Sequence, residues 1–164
     1  MSFTVSAAAR AQLSEIRDIY NEVIRNSTAV FSDVEVTLED RQAWFDAKQA
    51  GGFPVLAAAD ASGVVGFGTF GEFRSWPGYR FSVEHSVHVR ADRRGHGVGR
   101  SLVQALLLEA ARLRKHVMIA GIDAQNVTSI SLHEKLGFKV VGELPEVAFK
   151  FGRWLDLKFM QRLI

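Results

Sequence analysis

The sequence contains no cysteine among its 164 residues. A disulfide, a thiolate metal site and a cysteine nucleophile are therefore excluded. The chain also lacks an apolar run long enough to cross a membrane, and its polar, alanine-rich N-terminus has no signal-peptide core. We therefore expect a cytoplasmic protein that has no membrane partner.

The excess of charge of one sign is also small. The net charge is +2, which argues against a nucleic-acid partner. Positive charge clusters at 90–94 and 112–115, and the first cluster suits a polyanionic cofactor better than DNA. No group of residues has metal-ligand spacing, so no metal site is expected. The length predicts one domain over residues 1–164.

Hydrophobic periodicity predicts the element order β-α-α-β-β-β-α-β-α-β-β, an α/β (α+β) fold with a mixed sheet and helices on both faces. Thr37 and Asp40 form a predicted N-cap pair for the second helix, and Gly137 ends the last one. Strands are predicted at 3–7, 55–60, 64–73, 81–89, 117–122, 140–147 and 155–163. The other helices are predicted at 12–26, 97–113 and 128–136.

A glycine-rich stretch at 93–101 follows the fourth predicted strand and opens a helix. Glycines allow close approach of a ligand to the backbone, and a helix N-terminus points N–H groups and a positive dipole end at it. Together with the nearby Arg93, Arg94 and Arg100, the stretch predicts a binding site for phosphate or pyrophosphate. The alternative is an ordinary glycine-rich turn from strand to helix.

Two well-known phosphate loops do not fit this stretch. A Walker loop requires a lysine before Ser101, where the chain has Arg100. A dinucleotide fingerprint requires Gly-x-Gly-x-x-Gly near the first strand and an acid about twenty residues later, and neither is present. The stretch instead matches Arg/Gln-x-x-Gly-x-Gly/Ala at 94–99.

Polar residues alternate with largely apolar ones along the strand predicted at 81–89. Ser82, Glu84, Ser86 and His88 share one face because side chains alternate along a strand. A polar stripe on a covered sheet indicates a ligand cleft, and a half-buried Glu84 has a raised pKa suited to a general base. The alternative is a structural ion pair between Glu84 and an arginine.

The short helix predicted at 128–136, after the fifth predicted strand, carries a third group of polar residues. Asn126 lies where a strand gives way to this helix, so it either caps the helix or binds a ligand amide. His133 is one helical step from Ser129 and from Leu136, which predicts that it faces the sheet. It is either a packing residue or a catalyst.

The loop motif and the element order resemble the GCN5-related N-acetyltransferase (GNAT) superfamily. Within it, the chain resembles the phosphinothricin and methionine sulfoximine acetyltransferases. The branch-level resemblance rests on the sequence around His133, on Lys-Phe-Gly-Arg-Trp at 150–154, and on the segments 19–21, 27–31, 73–80 and 83–89. It implies a GNAT-like, mostly antiparallel sheet, acetyl-CoA as co-substrate, a small amino-acid acceptor and a homodimer.

The resemblance also implies roles for individual residues. Glu84 would be the general base, and His133 stands where many members have a tyrosine that acts as general acid. Acetyl-CoA would be bound by the backbone of Val87, His88 and Val89, by the loop Arg94, Gly95, His96, Gly97, Val98, Gly99 and Arg100, and by Asn126 and Ser129. The acceptor pocket would be lined by Arg74, Ser75, Trp76, Arg80, Glu84, His85 and Ser86.

Other interpretations stay open at this point. A peptide N-terminal acetyltransferase, a non-catalytic acyl-CoA-binding module and a nucleotide-binding module are the alternative functions. The aromatic-rich segment 70–81 is typical of the wall of a closed small-molecule pocket. Phe151, Trp154 and Leu155 lie among charges near the C-terminus and indicate an interface, although Trp154 would pack equally well in the core.

Overall fold

The computed structural model describes residues 2–164. The observed order of elements is the predicted one, so the fold class is confirmed. The strands are β1 Thr4–Ala7, β2 Val55–Asp60, β3 Gly63–Glu72, β4 Ser82–Val89, β5 Val117–Asp123, β6 Lys139–Lys150 and β7 Arg153–Leu163. The helices are α1 Leu13–Asn26, α2 Leu38–Ala50, α3 Val98–Arg112 and α4 Val127–Lys135.

One sheet contains all seven strands in the order β1-β2-β3-β4-β5-β7-β6. Only the β4–β5 pair is parallel, and the other neighbours are antiparallel. A parallel neighbour needs a crossover connection, which α3 supplies between β4 and β5. The mostly antiparallel sheet that the resemblance implied is therefore present.

The two faces of the sheet carry separate apolar cores. Leu56 and Ala58 of β2 pack in the core that holds Leu102 and Leu106 of α3. The alternate residues Val55 and Ala57 pack in the core of the opposite face, which is formed with α1 and α2. Helices therefore cover both faces, and none of those within residues 2–164 is long and apolar enough to cross a membrane.

Local capping signals fix several element ends. The Thr37 hydroxyl accepts from Asp40 N while Asp40 accepts from Thr37 N, which confirms the predicted capping box of α2. Gly137 follows α4 with φ +82°, a left-handed conformation that glycine adopts without strain. The C-terminal hairpin is longer than predicted, because β6 continues past Val147 to Lys150 through two register shifts.

Candidate active site

Strands β4 and β5 diverge in the middle of the sheet. They are paired only from Ser82 to His85 and from Val117 to Ala120. Beyond these residues β4 continues beside β3, and β5 continues beside β7. The divergence leaves a wedge with backbone N–H and C=O groups on its edges, which suits a ligand that carries amides and binds like an added strand.

The glycine-rich loop lies directly after the β4 side of this wedge. Gly95 and Gly97 have φ of +80° and +84°, and nothing lies within 4 Å of where their Cβ atoms would be. Gly97 is the N-cap of α3 and provides no side-chain cap. The first N–H groups of α3 are therefore available to an anion at the positive end of the helix dipole.

The arginines near the loop differ in their partners. Arg93 pairs with Asp60 and Asp92, and Arg94 pairs with Glu22 at 2.6 Å and donates to Val89 O. Within residues 2–164, Arg100 has no carboxylate within 4 Å. Arg93 and Arg94 thus make ion pairs that hold the loop, whereas Arg100 makes none among the described residues; that all three flank a bound phosphate stays a prediction.

The remaining loop residues lie at the surface or in the core. His96 is exposed, and its ring Nδ1 lies 2.9 Å from Arg94 O. The Val98 side chain is buried in the core, so Val98 offers only its backbone to a ligand. Gly99 lies at the gap between β4 and α4, because its Cβ position is 3.6 Å from Val89 and 3.7 Å from Leu132.

Glu84 lies half-buried at the closed end of the wedge. Its carboxylate extends over Gly121 of β5, where a Cβ atom would be only 3.0 Å from Glu84 Oε1. Burial raises the pKa of Glu84, and the positive charge of nearby Arg74 opposes this rise. No cation within residues 2–164 comes within 4 Å of the Glu84 carboxylate, so the ion-pair alternative is not observed.

Sequence reasoning did not identify Gly121, although a signal was present. A lone glycine inside an apolar strand often marks a close approach by another group. Here the missing side chain makes room for a carboxylate rather than for backbone. Gly121 therefore belongs to the site as the residue that lets Glu84 lie flat on the sheet.

His85 and His133 form a buried pair on the opposite face of the sheet from Glu84. Their Nε2 atoms are 3.1 Å apart, and His133 Nδ1 lies 2.7 Å from the carbonyl oxygen of Ser129. A carbonyl only accepts, so His133 donates through Nδ1 and accepts through Nε2 from His85. His85 Nδ1 is then an unprotonated atom without a partner.

This pairing changes two expectations. The prediction that His133 faces the sheet is confirmed, but both of its nitrogens are occupied and burial lowers its pKa. The one proton of a neutral His133 is donated to Ser129 O, which favours a packing role, and its role as general acid stays a prediction. His85 does not share a face with Glu84 and Ser86, so its side chain cannot line the same pocket.

The α4 end of the wedge is formed by Asn126 and Ser129. Asn126 Oδ1 accepts from Ser129 N at 3.1 Å, so the side chain caps α4. This leaves the Asn126 amide nitrogen as the group able to donate to a ligand in the wedge. Capping and ligand binding, which the sequence presented as alternatives, are therefore compatible.

The segment that follows β3 is open to solvent. Trp76 is 73% exposed, Ser75 is exposed, and the Arg80 guanidinium donates to Pro77 O. Arg74 is bent over the Phe73 ring and is close enough to influence Glu84. Phe70 is buried within β3, but the exposed residues 74–81 do not form a closed wall within one chain, contrary to the expectation from the aromatic content of 70–81.

The loop between α1 and α2 is fixed over the Glu84 face of the sheet by groups that the sequence did not reveal. Lys150 is 1% exposed, and its ammonium donates to Ser27 O and Val30 O at 2.8 Å each. The Thr28 hydroxyl bonds buried Asp123 at the end of β5. These contacts join residues more than ninety positions apart, so local patterns carry no signal for them.

The buried histidines predict a pH-dependent stability. Burial lowers the pKa of His85 to about 3 and that of His88 to about 4. Below pH 6.5 the unfolded chain binds protons on these histidines that the folded chain does not. The free energy of unfolding is therefore highest above pH 6.5, as far as these two groups are concerned, and it falls on acidification toward pH 4. We expect a loss of up to about 1.4 kcal/mol per pH unit for each histidine, measured by urea unfolding.

Replacement of one histidine should reduce this dependence. His88 packs beside the rings of Tyr20 and Phe67, so His88→Phe keeps an aromatic ring in that place and removes one titrating group. Its unfolding free energy should fall less steeply below pH 6.5, whereas His96→Asn at the surface should keep the wild-type slope. An unchanged slope in His88→Phe would contradict this account.

Comparison with known proteins agrees with this geometry. The model of the acetyltransferase (GNAT) family matches residues 15–138. The chain is 48% identical to an L-methionine sulfoximine/L-methionine sulfone acetyltransferase of Pseudomonas paraeruginosa, over 98% of this chain and 94% of that protein. It is 34% identical to a phosphinothricin N-acetyltransferase of Alcaligenes faecalis, over 97% and 81%.

Solved structures show the same fold. A putative acetyltransferase from Salmonella typhimurium with its cofactor acetyl-CoA superposes with a TM-score of 0.96 at 44% identity, over 99% of this chain and 94% of that one. A ribosomal-protein-alanine N-acetyltransferase from Brucella melitensis also gives 0.96, at 43% identity over 98% and 99%. The chain belongs to the acetyltransferase (GNAT) family.

Proposed function

We propose that this protein transfers the acetyl group of acetyl-CoA to the α-amino group of a small amino acid such as L-methionine sulfoximine, L-methionine sulfone or phosphinothricin. The observation that carries the proposal is Glu84, a half-buried carboxylate with a raised pKa at the closed end of the wedge, which no cation among residues 2–164 approaches within 4 Å. The names of the two curated relatives support the choice of acceptor.

Acetyl-CoA would bind along the wedge and the glycine-rich loop. The backbone of Val87–Val89 would pair with the amides of its long arm, and the amide nitrogen of Asn126 would donate from the other side. The N–H groups of 95–100 would hold the pyrophosphate, with Arg100 as the available cation. The solved Salmonella relative with acetyl-CoA supports this choice of co-substrate.

A basic cavity next to the loop supports the same assignment. It has a volume of about 650 Å³ and contains Arg100, Lys135, Lys139 and Arg162. Within residues 2–164, none of these four cations has a carboxylate within 4 Å. Arg100 belongs to both the loop and the cavity, so the two sites are adjacent. With the pyrophosphate of coenzyme A at the loop, its separate phosphate group would reach the cations of the cavity.

The reaction would begin with Glu84. An α-ammonium group is not nucleophilic, so Glu84 removes its proton, directly or through one water molecule. The free amine attacks the acetyl carbonyl, and a backbone N–H on the open edge near Val87 stabilises the developing oxyanion. The thiolate leaves and takes the second proton that the attacking nitrogen gives up as the amide forms, without general-acid help from His133, whose proton is donated to Ser129 O.

The acceptor is held near Glu84 by positive charge. Arg74 is the arginine whose charge influences Glu84, so it would bind the α-carboxylate next to the reacting amine. Ser86 lies one alternate position along the same face and would line the pocket. The acceptor pocket would include Ser75, Trp76 and Arg80 only if another surface covered the exposed segment in which they lie.

We propose that a second copy of the chain provides this cover. Phe149, Phe151 and Trp154 are 56%, 56% and 59% exposed at the end of the β6–β7 hairpin, and the Phe149 and Trp154 rings are 5.0 Å apart. The 59% exposure of Trp154 in a single chain favours the interface over packing in the core. Clustered exposed aromatic rings are typical of the centre of an interface.

Trp154→Ala should therefore weaken a dimer. Loss of a central aromatic residue costs about 2 kcal/mol or more, so the dimer dissociation constant should rise on the order of 30-fold. The KM for the amino acid should rise with it, while that for acetyl-CoA changes little. Light scattering and steady-state kinetics would check this, with Leu108→Ala on the exposed face of α3 as control. A single-chain mass for the wild type would contradict the proposed dimer.

Acetylation of a protein N-terminus is the second candidate. It is favoured by the name of the Brucella melitensis relative, which has the same fold at 43% identity. A peptide would have to reach Glu84 from the side of the exposed segment 74–81, which does not form a closed pocket in a single chain.

The test is product analysis. Incubation with acetyl-CoA and L-methionine sulfoximine should release coenzyme A and give a product acetylated on the α-nitrogen, as identified by NMR. Thiol release without this product would remove the proposed acceptor.

A further inference from the structure

A small cavity lies on the Glu84 face of the sheet, beneath the loop that joins α1 and α2. Its volume is about 240 Å³, comparable to a small amino-acid side chain with some space remaining. Val30 of the loop, Tyr20 of α1 and Trp44 of α2 form its upper wall, and Ser86 and His88 of β4 form its floor. The cavity is therefore adjacent to the reacting centre along β4.

Arg41 of α2 lines this cavity and is only 5% exposed. Its guanidinium carbon lies 4.2 Å from the centre of the Tyr20 ring and 4.5 Å from that of the Trp44 ring. Within residues 2–164 no carboxylate lies within 4 Å of it, and its Nε is buried without a hydrogen-bond partner.

A buried guanidinium without a carboxylate partner favours binding of a ligand that carries an acceptor. Arginine keeps its charge in proteins, and a buried cation without a paired acceptor is unfavourable. A ring face does not accept an in-plane hydrogen bond, the Nε–H has no acceptor, and the Nη donors have no carboxylate partner within residues 2–164. An oxygen-bearing group in the cavity would satisfy both the charge and these donors.

The position of the cavity indicates which part of an acceptor would reach it. Glu84, Ser86 and His88 follow one another on one face of β4, at steps of roughly 6.6 Å. In methionine sulfone, the side-chain oxygens lie roughly 6 Å from the α-nitrogen in an extended conformation. With the amine at Glu84 and the α-carboxylate at Arg74, these oxygens arrive near Ser86 and the Arg41 cavity.

We propose that Arg41 determines specificity for the side chain of the acceptor, by donating hydrogen bonds to its sulfoximine, sulfone or phosphinate oxygens. This inference rests on the proposed function. L-Methionine itself has a thioether in place of these oxygens and would leave the guanidinium without an acceptor. Hydrogen bonds to a charged group give a preference on the order of 10²-fold for the oxidised side chain.

The test compares kcat/KM for L-methionine sulfone and L-methionine in the wild type, Arg41→Met and Arg41→Lys. The wild type should prefer the sulfone on the order of 10²-fold, Arg41→Met should lose most of this preference, and Arg41→Lys should retain part of it. Arg112→Met, which removes an exposed arginine from α3, is the matched control and should keep the wild-type ratio. Thermal unfolding identifies any variant that fails to fold. If an Arg41 variant fails to fold, the ratio of the wild-type kcat/KM values for L-methionine sulfone and L-methionine still tests the inference.

The outcomes separate the two proposals. Equal kcat/KM values for both acceptors in the wild type, or an Arg41→Met variant that loses both activities in equal proportion, would overturn the role of Arg41 and leave the proposed function intact. Acetylation of neither amino acid by the wild type would overturn the proposed function, and the role of Arg41 with it.

Discussion

The Glu84→Gln variant is expected to lose about 10²–10⁴-fold in kcat with L-methionine sulfone, the range for removal of a general base. Glutamine has nearly the same shape and fits the space over Gly121, but it cannot accept the proton of the α-ammonium group. Steady-state thiol release at neutral pH measures the loss. The affinity for acetyl-CoA should stay near that of the wild type, because Glu84 lies at the closed end of the wedge and not in the loop that would bind the phosphates.

Glu72→Gln is the matched control for this variant. Glu72 lies on the neighbouring strand β3 opposite Val83, and its side chain is exposed. The same chemical change at this position should leave kcat unchanged. Full activity of Glu84→Gln at neutral pH would show that the buried carboxylate has only a structural role.

The second large effect is expected for Gly99→Val, which should abolish stabilisation of the fold by acetyl-CoA. In the wild type a ligand at one hundred times its dissociation constant stabilises the folded state by about 2.7 kcal/mol. The Cβ position of Gly99 lies between Val89 and Leu132 at ordinary contact distances, so a branched side chain would fill the gap between β4 and α4 at the open end of the wedge. The shift in unfolding free energy with added acetyl-CoA measures the effect.

Gly99 is a better site for this test than Gly97. Gly97 has φ +84°, so valine there would strain the backbone and lower the stability of the free protein as well. Gly142→Val in β6 is the control, because its Cβ position is open and its backbone is not left-handed. Equal stabilisation by acetyl-CoA in Gly99→Val and the wild type would remove the wedge and the loop from the proposed cofactor site.

Much of the fold could be predicted because the signals are local. The capping residues Thr37 and Asp40 lie three positions apart, and the apolar residues of α3 repeat at helical spacing within one segment. The polar stripe of β4 follows from alternation along a single strand, and it correctly placed Glu84 and Ser86 on one face. The position of His85 on the other face follows from the same alternation, although the family resemblance had grouped it with the acceptor pocket.

The parts that could not be predicted depend on contacts between distant segments. His85 and His133 are 48 positions apart, and their hydrogen bond decides that neither holds an available proton. Arg94 is paired with Glu22 and Lys150 with the loop at 27–30, over similar or longer separations. The sequence gives no sign that Arg41 differs from the other arginines in helices. Only its burial between Tyr20 and Trp44, seen in the structure, sets it apart from them.

The acceptor proposed for this enzyme is a small amino acid with an oxidised side chain. A competition assay tests it directly: the wild-type protein is given limiting acetyl-CoA and equal concentrations of L-methionine sulfone, spermidine and a peptide that begins with alanine. We predict that the α-N-acetylated sulfone accounts for nearly all of the acetyl group transferred. Preferential acetylation of the peptide or the polyamine would contradict the account.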